Sequence, residues 1–247
     1  MSEVINQFTK RAETYSASAR WISDRNLIQA HIEAAGQQTS HLVLELCCGT
    51  GMVGRNFAAA GWQVCGIDLT RAMAAEANRF FPCICSPAEQ VPFLDNAFDV
   101  VVLRQAYFLL EDGQKVLQQA HRVLKPGGVF VFGQTVPFSS ADAPWLEHIH
   151  HTKQAQLREF FTEESLRQQL EHEFFHVREV RRLTVRENIT RWLAAAPELT
   201  AEKRAEVSAL IANAPEPYHS LHNVEVRNGE VLEDWNWVVF TADKQPI

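Results

Sequence analysis

Long apolar runs are missing from this sequence of 247 residues. No stretch reaches the roughly 20 consecutive apolar residues that a membrane-spanning helix needs. Residues 1–16 also lack the charged and then apolar pattern of a secretion signal. We therefore expect neither a membrane protein nor a secreted one, and the expected location is the cytoplasm.

Cysteine is scarce, and all five cysteines lie between Cys47 and Cys85. An odd number does not suggest a disulfide framework. Neither the adjacent pair Cys47-Cys48 nor the alternating Cys83-Ile84-Cys85 has the spacing of zinc ligands. We predict thiols that are buried as small apolar side chains.

One histidine-rich segment, Glu147-His-Ile-His-His151, could suggest a metal site. On a helix, however, His148 and His151 share a face, whereas His150 points elsewhere. Polar surface helices often carry histidines, so we predict no metal ion at this segment.

Glycine is also scarce in the second half of the chain, because ten of the eleven glycines lie at or before Gly133. Seven of the ten histidines, in contrast, lie from His148 onward. After Val136 there are 12 Lys and Arg against 18 Asp and Glu, so −6 of the net charge of −7 arises there. Such a surface repels nucleic acid on average, which disfavours a nucleic-acid partner. The two halves are expected to have different tasks.

Between residues 40 and 136, short apolar runs alternate with segments of helical spacing. Strands are predicted at 41–46, 62–67, 82–85, 98–103 and 129–135, and helices between them at 52–60, 70–80 and 112–124. Strands buried on both faces and followed by helices predict a parallel sheet with right-handed crossovers.

The flanking regions are expected to add helices and antiparallel strands. Two helices are predicted at 4–15 and 23–35. The later elements are predicted as helices at 144–160, after the cap Thr162, at 187–196 and at 200–212, strands at 174–185 and 234–241, and a hairpin turn at Asn228-Gly229. No repeat or low-complexity linker interrupts the chain. We expect an α/β fold, with a seven-stranded, mostly parallel sheet, an antiparallel last strand and a helical cover.

The sharpest motif is Val-Leu-Glu-Leu-Cys-Cys-Gly-Thr-Gly at 43–51, a strand that runs into a glycine loop and then a helix. Gly49 and Gly51 allow the backbone to approach a ligand closely, and the helix offers free N–H groups. Asp68 ends the next strand, where a carboxylate can accept both ribose hydroxyls of a nucleoside. Together with Gly54, the loop also satisfies the dinucleotide pattern, so an NAD-dependent oxidoreductase remains an alternative.

Two further features favour a different cofactor. Glu45 precedes the loop, where a carboxylate can hold an ammonium group but would repel a pyrophosphate. The segments at 88–93, 98–102 and 122–128 follow in the order and spacing of class I S-adenosylmethionine-dependent methyltransferases, a family that the chain resembles over about residues 40–135. It is similar to the small-molecule group, methyltransferase type 11, which includes quinone-biosynthesis C-methyltransferases.

The resemblance implies a Rossmann-like fold and transfer of a methyl group from S-adenosylmethionine to a small-molecule acceptor, which gives S-adenosylhomocysteine. A non-catalytic module that binds S-adenosylmethionine is a second alternative. The implied arrangement is one domain over 1–247, with an N-terminal helical lid at 1–36, a cofactor-binding half at 40–136 and substrate-cover insertions at 137–165 and 186–223. A monomer or homodimer is expected.

The resemblance also implies the cofactor-binding residues, which are Tyr15, Glu45, Cys47, Gly49, Gly51, Asp68, Leu69, Pro87, Ala88, Glu89, Leu103 and Arg104. Within this set, Glu45 and the two loop glycines would lie at the methionine end, and Asp68 would hold the ribose.

The remaining implied contacts lie at the adenine and at the lid. Leu69 would pack on the adenine, and Ala88 would offer it a backbone N–H. The turn at Leu103-Arg104 would place a carbonyl near the methionine amine, while Tyr15 would contact the cofactor from the lid.

Two positions depart from the family pattern. Cys47 replaces the usual first glycine of the loop, so its backbone is expected either to keep φ below zero or to store strain. Pro87 stands where the family often has an acidic residue for the adenine amine, so that hydrogen bond is expected to be missing or supplied elsewhere.

The acceptor side has no recognisable motif, because methyl transfer needs alignment and exclusion of water more than one obligatory residue. The candidates are Tyr107, Trp145, His148, Arg186, Tyr218, His219 and His222. Each has an alternative role in packing or on the surface. Trp145, Trp192, Trp235 and Trp237 could likewise form an aromatic pocket, although the last two share one face of a strand and suit a core. After the predicted fourth strand, Leu-Arg-Gln-Ala-Tyr-Phe at 103–108 lacks the Pro-Pro-aromatic motif of nucleic-acid amino-methyltransferases.

Overall fold

A computed structural model describes residues 2–36 and 42–246 of the chain. The strands are β1 (Leu42–Leu46), β2 (Gln63–Asp68), β3 (Cys83–Cys85), β4 (Phe98–Arg104), β5 (Leu124–Thr135), β6 (Phe175–Asn188), β7 (Glu225–Arg227) and β8 (Glu230–Lys244). The predicted start of the first strand, His41, lies outside the described residues.

All strands join one sheet in the order β3-β2-β1-β4-β5-β8-β6, with the short β7 paired to β8. Strands β1 to β5 are parallel, and β8 runs antiparallel to both β5 and β6. The predicted fold class is thereby confirmed. The sheet has one strand more than the seven predicted, namely β7, which is the first arm of the hairpin at Asn228-Gly229. Because β1 lies between β2 and β4, the strand order reverses there and leaves a crevice at the carboxyl ends.

The helices are α1 (Ser2–Arg11), α2 (Arg20–Ser23), α3 (Arg25–Ala34), α4 (Met52–Ala59), α5 (Arg71–Ala77), α6 (Gly113–Val123), α7 (Ala143–Lys153), α8 (Glu163–His172), α9 (Ile189–Ala194), α10 (Ala201–Ala212) and α11 (Glu216–Leu221). Short 3-10 turns lie at Tyr15–Ala17 and Tyr107–Leu109. Within the described part of the chain, no helix has the length and apolar character needed to cross a membrane.

Apolar side chains cover both faces of the sheet. Val100 and Val102 of β4 enter one hydrophobic cluster with residues of α3 and α4. Val101 and Leu103 point to the other face and join a second cluster with residues of α6 and α8. Alternate burial on both faces explains why β4 reads as a continuous apolar run.

Helix α7 is shorter than the predicted helix at 144–160 because the chain must change sides of the sheet. Leu146 and Ile149 of α7 pack in the cluster that contains α3 and α4. Phe161 packs in the cluster on the opposite face. The helix therefore ends at Lys153, and an irregular segment leads to Thr162. That residue caps α8, as predicted, by accepting a hydrogen bond from the Ser165 N–H at 3.1 Å.

The boundaries around β6 and β8 also differ from the prediction. The helix expected from residue 187 begins at Ile189, because Glu187 and Asn188 still pair with β8. Asn188 then caps α9 by accepting a hydrogen bond from the Arg191 N–H at 2.9 Å. Long pairing with β6 makes β8 continuous from Glu230 to Lys244, whereas the sequence predicted the second arm of the hairpin and the strand at 234–241 as separate strands. Near the N-terminus, the helix predicted at 23–35 corresponds to α3, which begins at Arg25 after the cap Asp24, and the short α2 before it was not predicted.

Candidate active site

A cleft opens at the carboxyl ends of β1, β2 and β4, and side chains of α1 cover it. Of the predicted cofactor-binding residues, those that line it are Tyr15, Cys47, Gly49, Asp68, Leu69, Ala88, Glu89 and Arg104. Glu45, Gly51, Pro87 and Leu103 are not among the described residues that line it.

Asp68 ends β2 with its carboxylate held by two backbone groups. Its Oδ2 accepts a hydrogen bond from the Gly49 N–H at 2.8 Å, and its Oδ1 accepts one from the Thr70 N–H at 2.8 Å. Burial raises the pKa of Asp68, and the backbone hydrogen bonds act in the opposite direction. The carboxylate is thus fixed in orientation beside the glycine loop.

The glycine loop after β1 uses the left-handed backbone region three times, with φ of 50° at Cys47, 55° at Gly49 and 76° at Gly51. Only the two glycines adopt it without cost. Cys47 therefore follows the second of the two expectations and stores strain, roughly 1–2 kcal/mol for a side chain in this region. At Gly51, a Cβ atom would lie 2.9 Å from the Phe81 ring, so this glycine serves packing behind the cleft.

Glu45 is buried behind the loop rather than in the cleft, with a side chain that reaches the start of α4. Its Oε2 accepts a hydrogen bond from the Gly54 N–H at 2.8 Å. Burial raises the pKa of Glu45 to about 7, and the nearby Arg104 guanidinium acts against this rise. In this arrangement Glu45 joins β1 to α4, and the sequence-based role of Glu45 at an ammonium group, directly or through water, stays a prediction.

Arg104, at the end of β4, connects the sheet to the N-terminal lid. Its guanidinium lies over the Trp21 ring at 5.2 Å from the centroid and donates a hydrogen bond to the Ile22 carbonyl at 3.2 Å. The resemblance implied only a backbone role for this position. The lid also reaches the loop directly, because the Tyr15 ring lies 3.6 Å from the position that a Cβ of Gly49 would occupy.

A second space, called here the inner cavity, adjoins the cleft. Both are bounded by Phe8, Tyr15, Gln105 and Leu109. The other walls of the inner cavity come from the lid, α7, α9 and β8. Its aromatic lining consists of Phe8, Tyr15, Trp21, Phe108, Trp192 and Trp235. The aromatic pocket suggested by the sequence is therefore partly correct, with Trp192 and Trp235 at the cavity and Trp145 and Trp237 outside its lining.

The inner cavity contains polar residues that the sequence analysis missed, namely His150, Lys153 and Gln154. A signal for Lys153 was available, because it follows Ile149 by four residues and so lies on the apolar face of α7. Lys153 is only 6% exposed. Burial lowers its pKa to about 7, with Arg11 acting in the same direction and Glu198 against it.

None of the seven predicted acceptor-side residues is among the described residues that line either space. Tyr107 is buried in the opposite core, with ring centroids 5.2 Å from Phe132 and 4.9 Å from Phe161. The indole N–H of Trp145 donates to the Leu210 carbonyl at 3.2 Å, and His148 is exposed on α7.

Arg186 is occupied at the hairpin rather than at a ligand site. It forms ion pairs with Glu225 at 3.1 Å and with Asp234 at 3.2 Å. These two carboxylates compensate the charge of Arg186, which does not favour contact with an anionic acceptor, and the role suggested from the sequence stays a prediction.

Two of the three candidates on and after α11, Tyr218 and His222, belong to a buried polar network. Tyr218 stacks on His222 at 3.9 Å between centroids and donates a hydrogen bond to Glu233 at 2.8 Å. The Nε2 of His222 lies 2.9 Å from a carboxylate oxygen of Asp142. His219 contacts the Ala212 carbonyl through a ring nitrogen at 3.1 Å. Tyr218 and His222 thus have their partners within the core, His219 is half-buried beside α10, and none of the three is among the described residues that line the cleft or the inner cavity.

The histidine-rich segment of α7 is divided between surface and interior. His148 and His151 are exposed, and His150 turns inward to rings that include Trp192 and Trp235, each 5.9 Å away between centroids. Among residues 2–36 and 42–246, no group of three or more His, Cys, Asp or Glu side chains is arranged to hold a metal ion.

Comparison with known proteins finds similarity to the family whose motifs the sequence resembles. Residues 44–132 match the family model described as a methyltransferase domain. The ubiquinone/menaquinone biosynthesis C-methyltransferase of Desulfotalea psychrophila is 34% identical over 116 residues, which are 43% of this chain and 46% of that protein. The chain spans about half or less of the length of the curated relatives it matches first. The predicted resemblance to methyltransferases is thereby confirmed.

Solved structures share the fold. A Bacillus halodurans protein assigned as a methyltransferase has a TM-score of 0.80 at 22% identity, and the match covers 89% of this chain and 99% of that one. The phosphoethanolamine N-methyltransferase 2 of Haemonchus contortus, solved with phosphomonomethylethanolamine and S-adenosylhomocysteine, has a TM-score of 0.59 at 19% identity. That match covers 90% of this chain and 53% of the other. At these identities the similarity establishes the fold.

Proposed function

We propose that this protein is an enzyme that transfers a methyl group from S-adenosylmethionine to a small-molecule acceptor and releases S-adenosylhomocysteine. One observation carries the proposal: the cleft beside the glycine loop and the aromatic inner cavity share a boundary at Phe8, Tyr15, Gln105 and Leu109. A cofactor and an acceptor can therefore meet at that boundary. The methyltransferase-domain match over 44–132 supports this assignment.

The residues of the cleft fit the cofactor. The Asp68 carboxylate accepts backbone hydrogen bonds from Gly49 and Thr70 and a further one from the Thr70 side chain, which leaves at least one of its four lone pairs for a ribose hydroxyl. Leu69 and Ala88 offer apolar contact for the adenine, and the loop at Gly49 has no Cβ that would obstruct the methionine end. We assign the cofactor to this cleft on these grounds.

The chain contributes alignment and exclusion of water to the reaction. When bound, the cofactor supplies a methyl group on an activated sulfonium, which becomes a neutral sulfide when the methyl group leaves. Tyr15 and Phe8 lie at the boundary of the two spaces, where they can hold the acceptor in line and keep water out. The aromatic walls of the inner cavity fit a small molecule.

Further parts of the proposal concern organisation and partners. The protein acts as one domain, with residues 1–36 as the lid, 40–136 as the cofactor-binding half, and 137–165 and 186–223 as the cover. Its partner is a small-molecule acceptor rather than nucleic acid, in agreement with the net charge of −7. We place it in the cytoplasm, as a monomer or homodimer.

Calorimetric titration with S-adenosylmethionine, S-adenosylhomocysteine and NADH tests the proposal. We expect the first two ligands to bind and NADH not to bind. Asp68→Asn should weaken S-adenosylhomocysteine binding by about tenfold or more, because hydrogen bonds to a charged group are each worth about 1.5–3 kcal/mol. Asp95→Asn is the matched control, since Asp95 is exposed and pairs with Arg122 on the surface.

Two outcomes would contradict the proposal. Binding of NADH alone would favour an oxidoreductase. Cofactor binding without S-adenosylhomocysteine formation against a broad panel of acceptors would favour a non-catalytic module. Unchanged affinity in Asp68→Asn would refute the ribose role of Asp68 specifically.

A further inference from the structure

The walls of the inner cavity favour a flat apolar ligand. Trp192 and Trp235 meet edge to face, with centroids 4.9 Å apart and planes at 87°. Trp21 and Tyr15 form a second edge-to-face pair at 6.4 Å on the lid side. Rings held at right angles present both faces and edges to a ligand, an arrangement that suits an aromatic or conjugated molecule.

Two polar groups of the cavity are buried hydrogen-bond donors without partners in the described chain. The side-chain nitrogen of Gln154 is buried and has no hydrogen-bond partner in the described part of the chain, and the same is true of the indole nitrogen of Trp21. Both residues are at least nine-tenths buried, at 9% and 7% exposure. Unpaired buried donors are costly, so a ligand that brings hydrogen-bond acceptors would complete the site.

The charges of the cavity point in the same direction. Arg11 and Lys153 are its lining cations, and no Asp or Glu is among the described residues that line it. Arg11 is already neutralised by an ion pair with Glu198. The ammonium of Lys153 instead lies over the Trp192 ring, 4.1 Å from the centroid, and has no carboxylate within ion-pair distance in the described chain. A buried cation without a counter-ion is unfavourable, and an anionic ligand would relieve it.

We propose that the inner cavity selects an acceptor that combines a flat apolar ring system with a negatively charged oxygen, a carboxylate or phenolate, and that Lys153 is the partner of this oxygen. Gln154 and Trp21 add donors from the neighbouring walls. The opposite end of the acceptor would reach the boundary at Tyr15, where the methyl group is transferred. This inference rests on the proposed function and specifies its acceptor class.

The experiment measures binding of three probes that share a naphthalene ring and carry an anionic, a neutral or a cationic substituent. They are 2-naphthoate, its neutral analogue 2-naphthamide and the cationic 2-naphthylmethylammonium, each titrated by calorimetry into protein saturated with S-adenosylhomocysteine. We expect the carboxylate to bind at least about tenfold more tightly than the amide, as for a buried charge-assisted pair, and the cation to bind most weakly.

Lys153→Met removes the charge and keeps the length and apolar stem of the side chain. In this variant the affinities for 2-naphthoate and 2-naphthamide should become about equal, while the affinity for S-adenosylhomocysteine stays unchanged. Lys115→Met is the matched control, because Lys115 is exposed on α6. It should keep the wild-type preference. Lys153→Gln provides a second neutral variant with a polar end and should lose the preference as well.

The possible failures can be told apart. Equal affinity of the carboxylate and the amide for wild-type protein overturns the inference, and so does a preference that survives in Lys153→Met. In both cases, continued binding of S-adenosylhomocysteine leaves the proposed function standing. If the wild-type protein binds no S-adenosylhomocysteine, the proposed function fails and this inference fails with it.

Discussion

Lys153 should make the folded protein less stable than a variant with an apolar side chain of similar length. The pKa of its ammonium falls from 10.5 to about 7 because of burial, and Arg11 contributes in the same direction. The other charged or titratable groups near it are Glu198, whose carboxylate opposes the shift, and His150, whose own pKa is lowered to about 3 by burial. The folded state thus binds this proton more weakly than the unfolded state.

The shift sets both the magnitude and the pH window of the effect. A pKa that falls from 10.5 to about 7 corresponds to an upper limit of about 5 kcal/mol, and replacement of buried charges by apolar groups commonly yields about 1–4 kcal/mol. Because the unfolded state binds more protons between these two pKa values, stability of the wild-type protein should rise with pH across that interval. Lys153→Met should therefore gain about 2–3 kcal/mol below pH 7, and the gain should shrink as the pH approaches 10.5.

Urea unfolding of the wild type and of Lys153→Met at about pH 6 and about pH 10 measures the difference in free energy of unfolding directly. Lys115→Met serves as the control and should change little at either pH. A gain for Lys153→Met that is the same at both pH values would refute the charge-burial argument, because apolar packing alone does not depend on proton binding. A loss of stability at the lower pH would refute it as well.

Two further substitutions test other parts of the site. Cys47→Gly should stabilise the protein slightly, by about 0.5 kcal/mol, because release of left-handed strain outweighs the greater freedom of glycine in the unfolded chain. Thermal unfolding measures this difference. Cys65→Gly is the control and should destabilise the protein, because Cys65 lies in the regular strand β2. Arg186→Ala should leave the Michaelis constant of any acceptor unchanged, since Arg186 is paired with Glu225 and Asp234; an increase of tenfold or more in steady-state kinetics would contradict that placement.

The cofactor-binding half was largely predictable because its signals are local. A strand buried on both faces gives a continuous apolar run, and positive φ favours glycine at two of the three loop positions that adopt it, so β1, the loop and Asp68 can be read from the local sequence. The contrast is Glu45, whose position in the motif was correct but whose side chain turns to Gly54. The position of a residue along a strand does not determine which group its carboxylate contacts.

The acceptor side could not be read in the same way because it is assembled from distant elements. Residue type pointed to His148 and Tyr218, which lie on the surface and in a closed polar network, respectively. Lys153 was overlooked because lysine at a helix end normally faces water. Its burial depends on α9 bringing Trp192 over it, a contact between segments about 40 residues apart that no local pattern encodes.

The lid gives a physical reason to treat the two binding events as coupled. Tyr15 lines both spaces, and Trp21 forms part of the inner cavity while its ring carries the Arg104 guanidinium from the cleft. A ligand in the cleft that moves Arg104 therefore also acts on a wall of the inner cavity. Since coupling between two ligands is reciprocal, an acceptor that orders Trp21 must strengthen cofactor binding by the same factor that the cofactor strengthens acceptor binding. The N-terminal segment therefore contributes to both spaces, through Tyr15 and Trp21, while Lys153 on α7 adds the charge of the inner cavity.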